Sequence, residues 1–483
     1  MRKSMVVLFA AVLVAAFAVP AMADISFFGT ARVLPTYYSN FDFDDNAPDG
    51  AKAVTTEGGL TNGEHVRSEL RLGWKAGGDK WKIMFIAEAD VINEKDTADR
   101  SFYTSATKPT PGPANAGGEF GIERVELNYT FAPALVLSTG WNIRAADIRT
   151  GGLLFGDDHP FIELGGKLTQ NLQYALTYLQ INNRQLTSGV SAVNDDWRAY
   201  LLKVNALVGT GNVKFDLSPL VLFSDNKLRD AKVFYYGIEG TGQIGIFKPS
   251  FEFIYADGEF RGTSVDIKSY AYFAGVEAAV SKALNPYVAI RFGQGDDNSS
   301  DNEVEGFVGV TDIGRFTPLM GMDGNILGET MGNPYGNTLY SYAPERKFTT
   351  TNTALIKGTG NAFGGYGGIS NLGSGNNPGH MIVAFGAKGA ISEPLSYKAQ
   401  VFLIWYDKTN NIPVGAGQNV SKVDDYAGTT FDLQLSYKFS PNFSTYFIYS
   451  TFVPGDGIKQ QLNATTSDDA PAYLASLGLV WTY

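Results

Sequence analysis

Residues 65–90 read HVRSELRLGWKAGGDKWKIMFIAEAD. In an extended chain Val66, Leu70, Leu72 and Trp74 fall on one side, and Arg67, Glu69, Arg71 and Lys75 on the other. After AGGD (76–79) the rule resumes, with Trp81, Ile83, Phe85, Ala87 and Ala89 opposite Lys82, Glu88 and Asp90. A period of two over such lengths predicts β-strands with one apolar and one polar face. The Gly-Gly-Asp between them predicts a tight turn joining an antiparallel pair. If AGGD sets the register, Arg67 stands across the ladder from Glu88 or Asp90.

The alternation recurs along the chain. Val125, Leu127, Tyr129 and Phe131 oppose Arg124, Glu126 and Asn128; Phe431, Leu433, Leu435, Tyr437 and Phe439 oppose Asp432, Gln434, Ser436 and Lys438. A β-sandwich has the same period, so the connections decide. Short ones such as FAPA (131–134), LTQN (168–171), GQIG (242–245), ISEP (391–394) and FSPN (439–442) alternate with long polar segments. The long ones fall near 39–64, 93–119, 145–160, 183–196, 224–231, 256–264, 293–379, 407–428 and 453–470. Short turns at one end and long loops at the other predict an all-β fold: a transmembrane antiparallel up-and-down β-barrel with short periplasmic turns and long extracellular loops. Counting the runs gives about 18 strands (16–18) in one domain over 24–483. Trp74, Trp81, Tyr129, Phe131, Tyr437, Phe439 and Phe443 cluster beside short turns. Such rings form an aromatic girdle at a membrane boundary, or else fill a sandwich core.

The N-terminus carries Arg2 and Lys3, an apolar run from Met5 to Val19, and Ala21 and Ala23 in A-x-A spacing. This predicts a signal peptide over 1–23. No later apolar run is long enough for a spanning helix. The 483 residues include no cysteine, so an exported fold holds without disulfides and no C-x-x-C-H haem site exists. A net charge of −11 argues against nucleic acid as a partner. His65, His159 and His380 lie at loop or strand-edge positions without ligand spacing. Asp296, Asp297, Asn298, Asp301 and Glu303 lack the glycine of an EF-hand loop and read as a solvated acidic loop. Neither a nucleophile elbow nor a Walker loop is present. No metal, no cofactor and no enzyme activity is expected.

The last eight residues are SLGLVWTY (476–483). Ser476, Gly478, Trp481 and Tyr483 resemble the C-terminal assembly signal of Gram-negative outer-membrane barrels, whose final residue is most often Phe. With the leader and the architecture, the chain resembles the porin class. RSELRLGWKAGG (67–78) and RFGQGDDNSSDN (291–302) resemble the 18-stranded alginate-export and carboxylate-selective porins loosely. The resemblance implies outer-membrane lipid and lipopolysaccharide, the barrel-assembly machinery and small hydrophilic solutes as partners. It leaves a homotrimer and a monomer both open.

Inside a barrel this wide the polar face lines water. Parity places Arg67, Arg71, Lys82, Arg124, Lys203, Arg291, Lys398 and Lys438 inward, with Glu69, Glu88, Asp90, Glu126, Glu252 and Asp432. Arg67, Glu69, Arg71, Glu88, Asp90, Arg124 and Glu126 cluster on three consecutive strands, and with Arg291 form the candidate constriction. Either they select solutes by charge, or they satisfy one another as ion pairs. The segment 293–379 exceeds an ordinary connection. It folds into the pore, with Arg315 or Arg346 near the path, or caps the mouth. The expected function is passive diffusion of small hydrophilic solutes. The alternatives are a channel specific for acidic sugars or carboxylates, and a structural barrel serving as an adhesin or as the sheath of an electron-transfer complex.

Overall fold

The computed structural model describes residues 24–39, 63–94, 120–147, 149–182, 196–227, 230–298, 301–310, 378–410, 412, 414–465 and 469–483. The proposed leader, residues 1–23, lies outside them. Eighteen long strands follow one another: β1 (Asp24–Ser39), β2 (Gly63–Gly77), β3 (Trp81–Glu94), β4 (Phe120–Ala132), β5 (Leu135–Ala145), β6 (Gly156–Lys167), β7 (Leu172–Asn182), β8 (Trp197–Thr210) and β9 (Val213–Asn226). The second half comprises β10 (Ala231–Ile244), β11 (Phe247–Phe260), β12 (Asp266–Ala278), β13 (Asn285–Gly293), β14 (His380–Ala390), β15 (Leu395–Trp405), β16 (Tyr426–Ser440), β17 (Phe443–Pro454) and β18 (Ala472–Thr482). A two-residue bridge, Glu303–Val304, pairs parallel with the start of β12, and a four-residue helix, α1 (Asp456–Lys459), follows β17.

Each long strand pairs antiparallel with the next, and β18 pairs with β1. The sheet therefore has no free edge. At the seam the Gly29 N–H donates to the Tyr483 carbonyl at 3.1 Å and the Tyr483 N–H to the Gly29 carbonyl at 3.2 Å. Closure satisfies the backbone donors and acceptors that hydrocarbon cannot. Eighteen strands match the count read from alternation, but two of the nine connections expected to be long are short: the strands run on into the segments near 224–231 and 256–264, leaving only 227–230 and 261–265 between them.

The apolar side of each strand points out. Leu70, Leu72, Leu176, Leu202, Phe253, Phe431 and Leu477 are exposed on the outer wall. At the short-turn end Tyr129 meets Phe131 and Tyr437 meets Phe439 edge-on; Phe439 stacks on Phe443, and Phe443 on Trp481. These rings face outward at one height, as a girdle requires. In β18, Ser476 is buried inside while Trp481 and Tyr483 are exposed outside. Gly478 is required by its neighbour: a Cβ there would stand 2.1 Å from the Tyr446 ring carried by β17.

The turn after β2 corrects the expected register. The pairing runs Gly77↔Lys82, so the reversal is centred beyond AGGD, and Gly78 donates to the Trp81 carbonyl at 3.0 Å. Arg67 consequently stands opposite Ile92, rather than Glu88 or Asp90; Glu69 faces Asp90, and Arg71 faces Glu88. A second departure lies on β4. Ile86 pairs with Arg124 but Ala87 pairs with Ile122, leaving Glu123 as the extra residue of a β-bulge. A bulge interrupts the in-out parity, and it brings Glu123 into contact with the inward arginines.

Candidate functional site

The lumen has two unlike halves. Across β1–β6 the inner wall carries a ribbon of ion pairs in two runs, one from Arg32 to Arg124 and one joining Arg144 to Glu126 and Glu163. Arg32 bonds Glu69 at 3.1 Å, and Arg71 reaches Glu69 at 3.0 Å, Glu123 at 3.1 Å and also Glu88. Arg124 meets Glu123 at 3.3 Å; Arg144 meets Glu126 at 3.1 Å and Glu163 at 3.5 Å. Thr177 donates to Glu163 at 2.8 Å, and the Arg144 guanidinium lies 3.6 Å from the centre of the Phe161 ring. Four arginines thus interleave with five glutamates. Arg32 and Glu69 are buried, whereas Arg71, Glu88, Glu123, Arg124, Arg144, Glu126 and Glu163 keep partial exposure to the bore.

The second half is occupied. The residues between β5 and β6, described at 146–147 and 149–155, turn into the lumen and dock on the inner faces of β8–β12. The neck is closed by Ala146 donating to Phe155 at 2.9 Å. At the tip, the Glu252 carboxylate of β11 accepts four hydrogen bonds: from the Thr150 hydroxyl at 2.7 Å and from the N–H groups of Gly151, Gly152 and Leu153 at 2.8, 3.1 and 3.2 Å. Gly152 has φ +63°, a conformation glycine adopts at no steric cost. A Cβ on Gly151 would lie 2.8 Å from that of Phe273. The two glycines therefore let the backbone approach the wall closely enough to wrap an anion. Asp147 repeats the device within the loop, accepting from Leu154 at 2.5 Å and Phe155 at 3.0 Å. Burial pushes the Asp147 carboxyl above the usual carboxylate range, against the lowering effect of those bonds.

Side chains pin the flank. Lys203 of β8 donates to the Ala146 carbonyl at 2.5 Å and to Glu239 of β10 at 2.6 Å. Arg149 meets Glu239 at 3.0 Å and Asp216 of β9 at 2.6 Å, and also donates to Ser218. Leu153, Leu154 and Phe155 are wholly buried, in one apolar cluster with Phe161, Leu179, Leu201, Leu222, Ile254 and Phe273. The segment 301–310 lies over the loop: Val310 donates to the Leu154 carbonyl at 2.8 Å, Tyr235 to the Val308 carbonyl at 3.0 Å, and Phe307 is fully buried.

The residues marked by parity distribute as follows. Glu69, Arg71, Glu88, Arg124 and Glu126 meet in the ribbon. The side chains of Arg67 and Asp90 lie outside the described residues. Arg291 faces inward but is wholly buried on β13, beside Phe273 and Ile382 in register, away from the ribbon. Glu252 and Lys203 belong to the loop anchor. Lys398, Gln400 and Asp432 are buried on β15 and β16, with Gln400 bonded to Asp432 at 2.8 Å. Lys82 and Lys438 are exposed near the short turns.

Of the long segment 293–379, residues 307–310 pack inside over the loop, whereas Asp297, Asn298, Asp301 and Asn302 are exposed at the long-loop end; Arg315 and Arg346 lie outside the described residues. Residues 311–377 of the long segment lie outside the described residues, and among the described ones the connection that turns furthest into the lumen is 146–155. Its β6 edge begins at Gly156, so His159 is a strand residue stacked on Phe155. His380 opens β14. Asp296 caps the amides of Asn298 and Glu305 and Asp301 caps that of Glu303, so these acids serve loop geometry. Among the described residues no cluster is arranged to hold a metal ion.

A closed antiparallel barrel of eighteen strands, apolar outside and charged within, is the architecture of outer-membrane channels. Solved structures share it. The chain is similar to a BenF-like porin from Pseudomonas fluorescens Pf-5 (TM-score 0.51, 10% identity, 95% of this chain and 98% of that one). It is also similar to Acinetobacter baumannii OccAB3 (0.52, 11%, 95% and 99%) and Pseudomonas aeruginosa OccK8, also called OprE (0.52, 11%, 95% and 98%). At these identities the likeness is one of fold. No protein-family model and no curated protein sequence matches the chain.

Proposed function

We propose that the protein is an outer-membrane porin that conducts small hydrophilic solutes passively. The observation that carries this reading is the pairing of a lipid-facing apolar wall with a lumen bounded on one side by fixed charges and on the other by a docked loop. Loop 146–155 narrows the bore without sealing it, because the ribbon opposite keeps partial exposure. Fixed charges in a narrow, low-dielectric passage focus the field on a passing solute. The ribbon's near-balance of charge favours orienting dipolar or zwitterionic solutes over strong selection by sign. The architecture supports outer-membrane residence, with 1–23 as the export leader and the Ser476–Tyr483 strand as the assembly signal.

The test is single-channel recording of the refolded barrel in a planar bilayer, with reversal potentials under a KCl gradient. Open channels with weak selectivity support the proposal. A barrel that inserts and passes no current refutes it in favour of a structural role. A second reading, a channel specific for carboxylates or acidic sugars, is favoured by the built constriction. It predicts that such solutes reduce the ion current in competition, whereas neutral sugars of equal size do not.

A further inference from the structure

The short-turn rim of the barrel carries a charge opposite to that of the chain as a whole. Within three residues of the short turns or of Asp24 stand nine lysines against four carboxylates, Asp24, Asp79, Glu277 and Glu393. That surplus of five positive charges sits in a chain of net −11. The lysines are ordered by register. Lys75 follows Arg71 on the inward face of β2; Lys82 pairs with Asn128; Lys167 follows Glu163; Lys214 precedes Asp216; Lys438 follows Asp432. All five are exposed and none makes an ion pair among the described residues. Lys248 and Lys388 flank Glu277 at 3.5 and 2.8 Å, so the one buried carboxylate of the rim is already neutralised. The opposite end carries Asp257, Glu259, Asp266, Asp297, Asp301, Glu303 and Glu305 among its described residues.

We infer that these lysines form an anion-collecting collar at the periplasmic mouth, which binds small multivalent anions, polycarboxylate or polyphosphate, from that side. The inference rests on the porin reading. The collar spans strands from β2 to β16, so it surrounds the opening rather than patching one side. Each exposed ammonium adds to the positive potential over about a Debye length, ~8 Å at physiological salt. The ribbon deeper in is neutralised by its own glutamates, so an anion drawn in from the short-turn side is held at the mouth. At the long-loop end Arg261 and Lys268 are already held by Asp225, Asp266 and Glu303, so no comparable run of exposed, unpaired lysines meets the anion there among the described residues.

The experiment is two-sided block of the oriented channel by inorganic tripolyphosphate. Block is expected at a concentration on the order of tenfold lower from the short-turn side than from the long-loop side, a difference that shrinks as salt rises. Combining Lys82→Gln, Lys167→Gln, Lys214→Gln and Lys438→Gln is expected to abolish the asymmetry, and the corresponding four Arg variants to keep it. Because the wild-type comparison needs no substitution, poor assembly of the Gln set leaves the inference exposed to refutation. Conducting wild-type channels blocked equally from both sides overturn the collar and leave the porin reading standing. Barrels that conduct nothing overturn both.

Discussion

The latch at Glu252 makes a quantitative claim about the pore. In Glu252→Ala four donors lose their acceptor: the Thr150 hydroxyl and the N–H groups of Gly151, Gly152 and Leu153. A buried unsatisfied donor costs about 1–3 kcal/mol, so the gross loss is about 4–12 kcal/mol. The cost of burying the Glu252 carboxyl group itself vanishes with the side chain, so the net loss falls near the low end of that range, about 3–5 kcal/mol. At about 1.4 kcal/mol per tenfold, the ratio of docked to released loop falls by on the order of 10²–10⁴. The freed amides find water in the lumen, so release is the accessible response. Single-channel conductance should rise, with added current noise as the loop moves. Glu252→Gln should lie between: its oxygen in the Oε2 position still accepts three of the donors, while its amide nitrogen opposes the Leu153 N–H. The reasoning fails if Glu252→Ala gives a heat-modifiable, inserted barrel with wild-type conductance and noise. It fails equally if Gln and Ala behave alike.

Arg71→Ala strips the cation shared by Glu69, Glu88 and Glu123, and the reversal potential under a KCl gradient should shift towards cation preference; an unchanged potential means the ribbon is sealed from the ion path. Gly478→Val drives a Cβ into the Tyr446 ring beside the closing seam, and should sharply reduce the heat-modifiable band on cold electrophoresis while leaving expression intact. Burial raises the Asp296 carboxyl to about 6. The neutral form therefore favours the native arrangement of residues 294–298 and 301–310, its contribution is complete below the ordinary carboxylate value near ~4, and it is lost as pH rises through about 6. Amide exchange at Glu305 should quicken over that window, and Asp296→Asn should flatten the dependence.

Alternation reveals a wall only where one face is apolar and the other is not. On β2–β4 and β16 that condition holds, and strand, face and neighbours are all legible. On β10 and β11 it fails, because inward Val233, Tyr235 and Ile254 are apolar too, packing beneath the docked loop and the 301–310 segment. Outward Phe234, Tyr236 and Phe253 supply the other face, and the pattern dissolves. Glu239 was missed for this reason, although it anchors both Lys203 and Arg149. Glu123 was missed because a bulge leaves no mark in composition. The 146–155 loop falls within 145–160, one of nine long segments in the sequence, and its length does not set it apart as that of 293–379 does. Its own signal was an Asp-Ile-Arg-Thr-Gly-Gly string, acid and base beside paired glycines ahead of the wholly apolar Leu-Leu-Phe.

The order of these parts along the chain constrains biogenesis. Residues 146–155 are synthesised and threaded before the β8–β12 wall that holds them. Glu252 stands 102 positions beyond Thr150, and Lys203 57 beyond Ala146. The width of the passage is therefore set by contacts between distant stretches of chain, and it takes its final value only once strands β8–β12 have paired.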